Sequence, residues 1–187
     1  MANKVRIIGG EWRSRLLHFD DVPGLRPTPA RVRETLFNWL QYDIAGSRCL
    51  DLFAGSGALG FEAASRGAKE VLQVESDVLA CRNLRANAAT LGGSRNRIIE
   101  SDVERFLAGR SEAFDLVFLD PPFGKNLAAK ICLQLEQNDW LAAYAKIYVE
   151  TEVDLELTGI PDNWQLLKHK TAGEVAYRLF ARSPLPR

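Results

Sequence analysis

A glycine-rich stretch, DLFAGSGALG at residues 51–60, constrains the fold of this chain more than any other segment. It stands between an apolar run that predicts a strand at 48–53 and a pattern that predicts a helix from Leu59 to Gly67. Its glycines have the G-x-G-x-x-G spacing of nucleotide-binding folds: Gly55, Gly57 and Gly60. Glycine permits a tight turn and a close approach of the backbone to a ligand. The stretch therefore predicts a ligand site at the carboxyl end of a strand in an α/β sheet.

Strand-like and helix-like patterns alternate from about residue 47 onward, without internal repeats. This alternation predicts a wound α/β sheet with buried parallel strands. Strands are predicted at 48–53, 71–75, 97–100, 116–120 and 146–150, and helices near 59–67, 77–91, 103–107 and 127–135. Two further strands at 165–170 and 175–182 flank Thr171-Ala172-Gly173 and predict an antiparallel hairpin.

The N-terminal segment is organised differently. Apolar runs at 5–8 and 16–19 predict two strands joined by GGEWRSR, which we interpret as a projecting hairpin. Thr28 is predicted to cap a helix whose first residue is Pro29. The predicted organisation of the 187 residues is a hairpin extension at 1–25 and one domain at 26–187.

The chain carries 24 basic and 24 acidic side chains, so its overall charge does not indicate a nucleic-acid partner. The distribution is uneven, because residues 1–35 have an excess of three positive charges. A basic N-terminal face of this kind can follow a phosphate backbone, although such an excess is also common on ordinary surfaces.

Residue types that hold metals or form disulfides are few and scattered. Cys49, Cys81 and Cys132 are isolated, and His18 and His169 have no partner motif, so we expect buried thiols and no metal site. No run approaches the roughly 20 apolar residues of a membrane span, and the N-terminus has no signal-peptide pattern. A cytoplasmic protein without membrane contacts is therefore expected.

A carboxylate follows the glycine-rich stretch at the distance that nucleoside-binding folds use. Glu75 lies at the predicted end of the next strand, 20 residues after Gly55, where a carboxylate can accept hydrogen bonds from both ribose hydroxyls. The combination implies a cofactor that contains a nucleoside. It does not decide which one, since a nicotinamide dehydrogenase would have the same glycines and the same acid.

A second motif, DPPF at residues 120–123, follows the apolar run LVFL and so stands at the carboxyl edge of the predicted sheet. Pro121 and Pro122 fix the backbone and remove two N–H donors, which leaves carbonyl groups free to accept hydrogen bonds. Asp120 adds a carboxylate and Phe123 a flat apolar face. This combination suits a planar base with an NH₂ group, which needs two acceptors and a stacking surface.

Together, DLFAGSGALG, Glu75 and DPPF resemble the class I methyltransferases whose [DN]-PP-[YF] motif acts on amino groups. DPPF alone leaves adenine, cytosine and protein glutamine open as targets. The segments IIGGEWRSRLL and RPTPARVRETLFNWL, within residues 7–40, are similar to the signature of the bacterial 16S rRNA guanine-N2 methyltransferases that modify guanine 966. The resemblance covers nearly the whole chain.

The resemblance implies a class I methyltransferase Rossmann-like α/β sheet, mostly parallel, with a C-terminal antiparallel hairpin and a small N-terminal β-hairpin extension. It implies S-adenosylmethionine as the cofactor. The implied cofactor-binding residues are Asp51, Ala54, Gly55 and Gly57 around the methionine moiety, Glu75 at the ribose, and Asp102 and Val103 at the adenine. Asp102 also has a purely structural interpretation, since a carboxylate at a helix N-terminus is stabilised by the helix dipole.

For catalysis we expect positioning and electrostatics to dominate, without a metal. Asp120 and the Pro121 carbonyl would accept hydrogen bonds from the two N–H groups of the target amine. Pro122 would help to fix the backbone at this corner. Phe123 would stack on the target base after the base has left its stacked position in the nucleic acid. A carboxylate with an ordinary pKa of about 4 is a weak base, so early deprotonation by Asp120 is not expected.

The predicted RNA-binding residues belong to the basic N-terminal region: Arg6, Trp12, Arg13, Arg15, Arg26, Arg31 and Arg33. For Trp12, stacking on RNA and packing within the hairpin are both open. Because every cofactor element begins at Asp51 or later, RNA binding and cofactor binding are expected to be separable. The expected partner of this monomer is 16S rRNA, in the small ribosomal subunit or an assembly intermediate.

Three other functions remain open from the sequence. A DNA adenine-N6 methyltransferase would share both motifs, but usually needs a target-recognition region for which residues 124–187 are short. A non-catalytic RNA-binding module is disfavoured by the intact Asp120 and Glu75. A nicotinamide oxidoreductase would be distinguished by the cofactor that raises its melting temperature.

Overall fold

The computed structural model describes residues 3–185, so the ends of the predicted domain ranges, residues 1, 2, 186 and 187, lie outside the described residues. The strands are β1 (Asn3–Arg6), β2 (Leu16–Phe19), β3 (Arg48–Leu52), β4 (Glu70–Glu75), β5 (Asn96–Glu100), β6 (Phe114–Leu119), β7 (Leu141–Glu152), β8 (Trp164–Ala172) and β9 (Val175–Arg182). The helices are α1 (Ala30–Trp39), α2 (Ala58–Ser65), α3 (Val78–Leu91), α4 (Val103–Leu107) and α5 (Leu127–Gln137). Every predicted strand and helix is present.

Seven strands form one sheet in the order β5-β4-β3-β6-β7-β9-β8. Strands β3 to β7 are parallel, whereas β9 runs antiparallel to both β7 and β8. The predicted mostly parallel sheet with a C-terminal antiparallel hairpin is therefore confirmed. β7 begins at Leu141, earlier than the predicted residue 146, because a register shift between Phe114 and Leu116 lets its first residues pair with the start of β6.

An apolar core covers each face of the sheet. The first core takes in side chains of β1, β2, α1, α2 and α3, and the second those of α4 and α5. All residues of α2 are buried, since this helix lies between the sheet and the N-terminal hairpin. The carboxyl ends of β3, β4, β6 and β7 meet at one edge, where ligands bind in open α/β sheets.

The predicted N-terminal hairpin of β1 and β2 is confirmed, but it packs on the body and does not project from it. The Glu62 carboxylate of α2 accepts the N–H groups of Ile8 and Gly9 at 2.9 and 2.8 Å. The apolar side chains of the hairpin enter the first core: Val5, Ile7, Trp12, Leu17 and Phe19. An isolated two-stranded sheet is marginally stable in water, so these residues require a covering face.

Burial corrects the assignment of two predicted RNA-binding residues. Trp12 is only 5% exposed and packs in the core, so it cannot stack on RNA. Arg33 is 4% exposed and donates to the carbonyl oxygens of Thr28 and Arg6, each at 3.0 Å. It also forms an ion pair with Glu62, so its donors are directed into the protein.

The start of α1 also differs from the prediction. The helix begins at Ala30, and Pro29 occupies the capping position without a side-chain cap. Thr28 is buried, and its hydroxyl donates to Oε2 of Glu150 at 3.4 Å. A buried hydroxyl needs a partner, and a carboxylate is a strong acceptor, so the long-range bond replaces the local cap.

The three cysteines are free and buried, as predicted. Burial raises the pKa of the Cys49 and Cys132 thiols to about 12, which makes both unreactive. None of the helices within residues 3–185 combines the length and the apolar character needed to cross a membrane.

Candidate active site

The glycine-rich stretch forms the turn between β3 and α2. Gly55 and Gly57 have φ angles of +57° and +81°, in the left-handed region that glycine adopts without steric cost. A Cβ atom at Gly57 would stand 2.6 Å from side-chain atoms of Phe61 and Leu84, so close packing also requires glycine. Phe53 has a φ of +59° despite its side chain, which marks backbone strain where the turn begins. The turn is held in one specific conformation at the carboxyl edge.

Asp51 supports this turn from the interior of the sheet. The residue is 2% exposed, and its Oδ2 accepts the Gly60 N–H at 3.0 Å. Burial raises the pKa of Asp51 to about 7, although the bonds to Gly60 and Gln73 lower it. The Ala54 N–H donates to the carbonyl of Val74 at 2.9 Å, which fixes the start of the turn against β4.

Glu75 ends β4 beside the turn, as predicted. Its Oε2 accepts the Gly55 N–H at 2.8 Å, and its Oε1 accepts the N–H groups of Ser76 and Asp77 at 2.9 Å each. A carboxylate can accept about four hydrogen bonds. Glu75 therefore fixes the turn and retains capacity for a ligand hydroxyl.

Asp102 and Val103 lie at the next strand end along the edge. The Asp102 side chain caps α4 by accepting the Arg105 N–H at 3.0 Å, which confirms its structural interpretation. Asp102 is exposed, whereas Val103 is 3% exposed. The Ser101 N–H donates to the carbonyl of Glu75 at 2.9 Å, so this segment runs beside the β4 end. Adenine contact by Asp102 and Val103 fits this placement and stays a prediction.

The DPPF corner directly follows β6, between β3 and β7. Pro121 is buried, whereas Pro122 and Phe123 are exposed, Phe123 by 47%. The N–H of Gly124 donates to the Glu152 carboxylate at 2.5 Å, which ties the corner to the end of β7. A shallow depression of about 180 Å³ beside Phe123 is lined by Glu152, Val153, Asp154 and Glu174. An exposed ring beside a depression offers a stacking surface for a planar base.

Glu150 is a site residue that the sequence analysis missed. Leu119 of β6 lies opposite Val149 of β7, so the residues that follow them, Asp120 and Glu150, are neighbours at the edge. Parallel strands are about 4.8 Å apart. Glu150 is 4% exposed, and its Oε2 accepts the Tyr148 hydroxyl at 3.1 Å. The available sequence signal was a glutamate at the end of the apolar run IYVE.

Burial and neighbouring carboxylates raise the proton affinity of Asp120 at this edge. Burial raises the pKa of Asp120 well above its ordinary value, and the charges of Glu150 and Asp51 raise it further, whereas Thr28 lowers it. Burial also raises the pKa of Glu150, against the hydrogen bonds from Tyr148 and Thr28. Within residues 3–185, no ion pair includes Asp120, Glu150 or Asp51. The expected pKa near 4 for Asp120 is therefore wrong, because Asp120 is buried near Glu150 and Asp51 without a cationic side chain to offset their charges.

The segment between the hairpin and α1 reaches the same edge. A Cβ atom at Gly55 would lie 3.7 Å from Cγ of Leu25, so the Leu25 side chain packs against the glycine-rich turn. Thr28, three residues later, binds Glu150 beside the DPPF corner. The N-terminal region and the cofactor motifs are separate in sequence but meet in space.

The remaining predicted RNA-binding residues are exposed: Arg6, Arg13, Arg15, Arg26 and Arg31. Arg6 and Arg15 donate to the carbonyl oxygens of Ser14 and Thr90, each at 3.2 Å. In the part of the chain that the structure describes, none of these five arginines forms an ion pair. We call these five residues the N-terminal arginine surface.

Comparison with known proteins gives consistent matches over nearly the whole chain. The sequence model of the family described as conserved hypothetical protein 95 matches residues 5–181. Ribosomal RNA small subunit methyltransferase D of Escherichia coli K12 is 49% identical over 97% of this chain and 91% of its own length. The solved structure of the Escherichia coli protein yhhF is 48% identical, covers 98% of this chain and 100% of its own, and superposes with a TM-score of 0.89.

A more distant solved structure carries ligands. It is the Thermus thermophilus 16S rRNA N2 G1207 methyltransferase in complex with AdoMet and guanosine. It is 26% identical with a TM-score of 0.73, and the match covers 98% of this chain and 50% of that one.

Proposed function

Since this chain belongs to the family of the ribosomal RNA small subunit methyltransferases D, we propose that it methylates the exocyclic N2 amine of a guanine in 16S rRNA, guanine 966. The observation that carries this function is the position of the DPPF corner. It follows β6, the direct neighbour of β3, whose end forms the glycine-rich turn. A base held at the corner and a cofactor held at the turn would therefore meet at one edge of the sheet.

The residues of the turn fit S-adenosylmethionine. Gly55 is partly exposed in a left-handed conformation, so its backbone can approach a ligand, whereas Gly57 packs against Phe61 and Leu84 and fixes the turn. The Glu75 carboxylate retains capacity for a ribose hydroxyl. When bound, this cofactor supplies a methyl group that its sulfonium already activates. We assign the ribose to Glu75, the methionine moiety to Asp51, Ala54, Gly55 and Gly57, and the adenine to Asp102 and Val103.

The protein must improve the weaker reactant, the guanine amine, whose lone pair is delocalised into the ring. Asp120 and the Pro121 carbonyl accept hydrogen bonds from its two N–H groups and direct the lone pair toward the methyl group. Pro122 keeps the corner rigid, and Phe123 stacks on the base. Most of the rate enhancement comes from this positioning and from the electrostatics of a water-poor site.

The N-terminal arginine surface is the proposed contact with the rRNA phosphates. Its arginines lie on the hairpin, in the segment between the hairpin and α1, and at the start of α1. Residues 1–25 thus act as an RNA-binding extension whose apolar side belongs to the core of the 26–187 domain. The protein works as a cytoplasmic monomer on the small subunit or an assembly intermediate.

The decisive experiment maps methylated nucleosides by mass spectrometry in 16S rRNA from cells that lack this protein. We expect the N2-methyl group at guanine 966 to be absent, and purified protein with S-adenosylmethionine to restore it on the isolated subunits. An unchanged methylation pattern would contradict the proposed function. Methylation of duplex DNA would instead favour an adenine-N6 methyltransferase, although residues 124–185 are taken up by α5, β7, β8, β9 and their connections.

A further inference from the structure

The pair formed by Asp120 and Glu150 destabilises the fold, so a role in stability does not explain it. Two neighbouring carboxylates, one of them 4% exposed, repel each other and are costly to desolvate. A valine or threonine at position 150 would pack on the end of β7 without that cost. The protein nevertheless surrounds Glu150 with two hydroxyl donors, Tyr148 and Thr28.

We propose that Glu150 is a positioning residue that makes Asp120 the acceptor of the proton released by the target amine. The inference rests on the proposed function and deepens it. Both donors bind the same oxygen, Oε2 of Glu150, at 3.1 and 3.4 Å, and so stabilise the negative charge of Glu150. The charge thus fixed beside Asp120 increases the affinity of Asp120 for a proton.

The chemical step balances without another reactant. The amine nitrogen forms a bond to the methyl carbon as the bond between that carbon and sulfur breaks, with its electron pair left on sulfur. The N–H proton passes to the Asp120 carboxylate, which becomes a carboxylic acid and later releases the proton to water. A carboxylate of ordinary pKa, about 3.9, would be a poor acceptor at neutral pH. A raised pKa makes the Asp120 carboxylate a stronger base, which favours general base catalysis.

Groups from several strands surround Asp120 and influence its affinity for a proton. The titratable groups around it are Asp51 from β3 and Glu150 and Tyr148 from β7, and Tyr177 of β9 packs against Tyr148. Burial, Glu150 and Asp120 all raise the pKa of Tyr148, so its hydroxyl stays protonated and remains a donor to Glu150. The Thr28 hydroxyl is held from the other side by the segment that leads into α1.

The first test reads the protonation of Asp120 directly. Aspartate side-chain carboxyls are labelled with ¹³C in the cofactor-free protein and titrated by NMR, with Asp120→Asn identifying the Asp120 signal. We expect the wild-type midpoint well above the ordinary range and a fall of about one pH unit or more in Glu150→Gln. Tyr148→Phe removes a hydroxyl donor to Glu150, so the negative charge of Glu150 is less stabilised and the midpoint should fall as well. The exposed Glu156→Gln serves as the charge-matched control and should leave it unchanged.

The second test links the midpoint to the reaction. In single-turnover methylation across pH, the acidic limb for Glu150→Gln should move down with the NMR midpoint, and the plateau rate should fall roughly 10-fold, while KM for RNA stays constant. An unchanged Asp120 midpoint in folded Glu150→Gln, or in Tyr148→Phe if the first variant does not fold, would overturn the proposal. An NMR shift without any shift of the pH-rate limb would also overturn it. Wild-type protein that methylates no rRNA would refute the proposed function, which the NMR result alone cannot do.

Discussion

Thr28 donates a hydrogen bond to Glu150 across 122 residues of sequence, and this bond joins the N-terminal segment to the catalytic corner. Arg33 donates to the Thr28 carbonyl and also forms an ion pair with Glu62, which anchors the hairpin through the Ile8 and Gly9 N–H groups. The RNA-facing extension is therefore connected to the active site by buried polar groups. Such groups require all their partners, so the extension should be tested by surface substitutions that leave these contacts intact.

The exchange Asp120→Asn should slow methylation, because an amide cannot take the released proton, yet stabilise the protein at neutral pH. The folded-state pKa of Asp120 is raised above its unfolded value of about 3.9, so the wild type loses stability as pH rises from that value through the folded-state pKa. Asparagine carries no charge that burial or the neighbouring carboxylates could penalise, which is worth about 1.4 kcal/mol for each pKa unit. Thermal unfolding from pH 4 to pH 8 should show a gain in Tm that grows with pH. Parallel curves for both proteins would contradict a raised pKa.

Replacement of Arg13 and Arg15 by alanine should weaken RNA binding and leave cofactor affinity unchanged. Both side chains are exposed, and each lost phosphate contact reduces the slope of log affinity against log salt by about 0.7 to 0.9, so the slope should flatten by roughly 1.5. The measurement is subunit or RNA binding over a salt series, beside a cofactor titration. Equal slopes in variant and wild type would indicate that Arg26 and Arg31, not Arg13 and Arg15, contact the RNA phosphates.

The matched control for that experiment removes two positive charges elsewhere. Arg110→Ala with Lys130→Ala alters exposed residues next to α4 and on α5, on the opposite face of the sheet. Its salt slope should match the wild type. Deletion of residues 1–19 is unsuitable as a test, since it would remove Trp12 and Leu17 from the core and destabilise the whole fold.

The exchange Glu75→Gln should lower S-adenosylmethionine affinity by about 10-fold to 100-fold, because a charge-assisted hydrogen bond contributes roughly 1.5 to 3 kcal/mol. Calorimetry on the folded variant measures this loss. Glu100→Gln is the control, because Glu100 is exposed and is the register partner of Glu75 on β5. Wild-type affinity in Glu75→Gln would place the ribose elsewhere.

The exchange Gly57→Ala should destabilise the fold more than Gly92→Ala, although both glycines have positive φ angles, +81° and +67°. At Gly92 nothing lies within 4 Å of an added Cβ, so only backbone strain of about 1 kcal/mol is expected. At Gly57 overlap with Phe61 adds roughly 1 to 3 kcal/mol and displaces the cofactor turn. Chemical denaturation with cofactor titration compares them. Equal losses in both variants would mean that Phe61 can move aside.

Local chemistry made much of this protein predictable from sequence. The order of strands and helices follows from hydrophobic periodicity and from glycine stops, so the DPPF corner and the glycine-rich turn could be placed at one sheet edge in advance. Glu75 was predictable as well, because its spacing from Gly55 reflects the length of one βαβ unit. These features depend on residues that are close in sequence or fixed by strand polarity.

Tertiary packing decided the rest. Trp12 and Arg33 resemble surface residues of a basic segment, and only the packing of the hairpin on α2 shows that both are buried. The pairing of Asp120 with Glu150 depends on the register between β6 and β7. The contact of Thr28 with Glu150 depends on the path of the segment that connects the hairpin to α1. The proton affinity of Asp120 is set by burial and by charges on other strands. Sequence determined which chemical groups stand at the edge, whereas packing determined their protonation, since electrostatic interactions depend on distance in space.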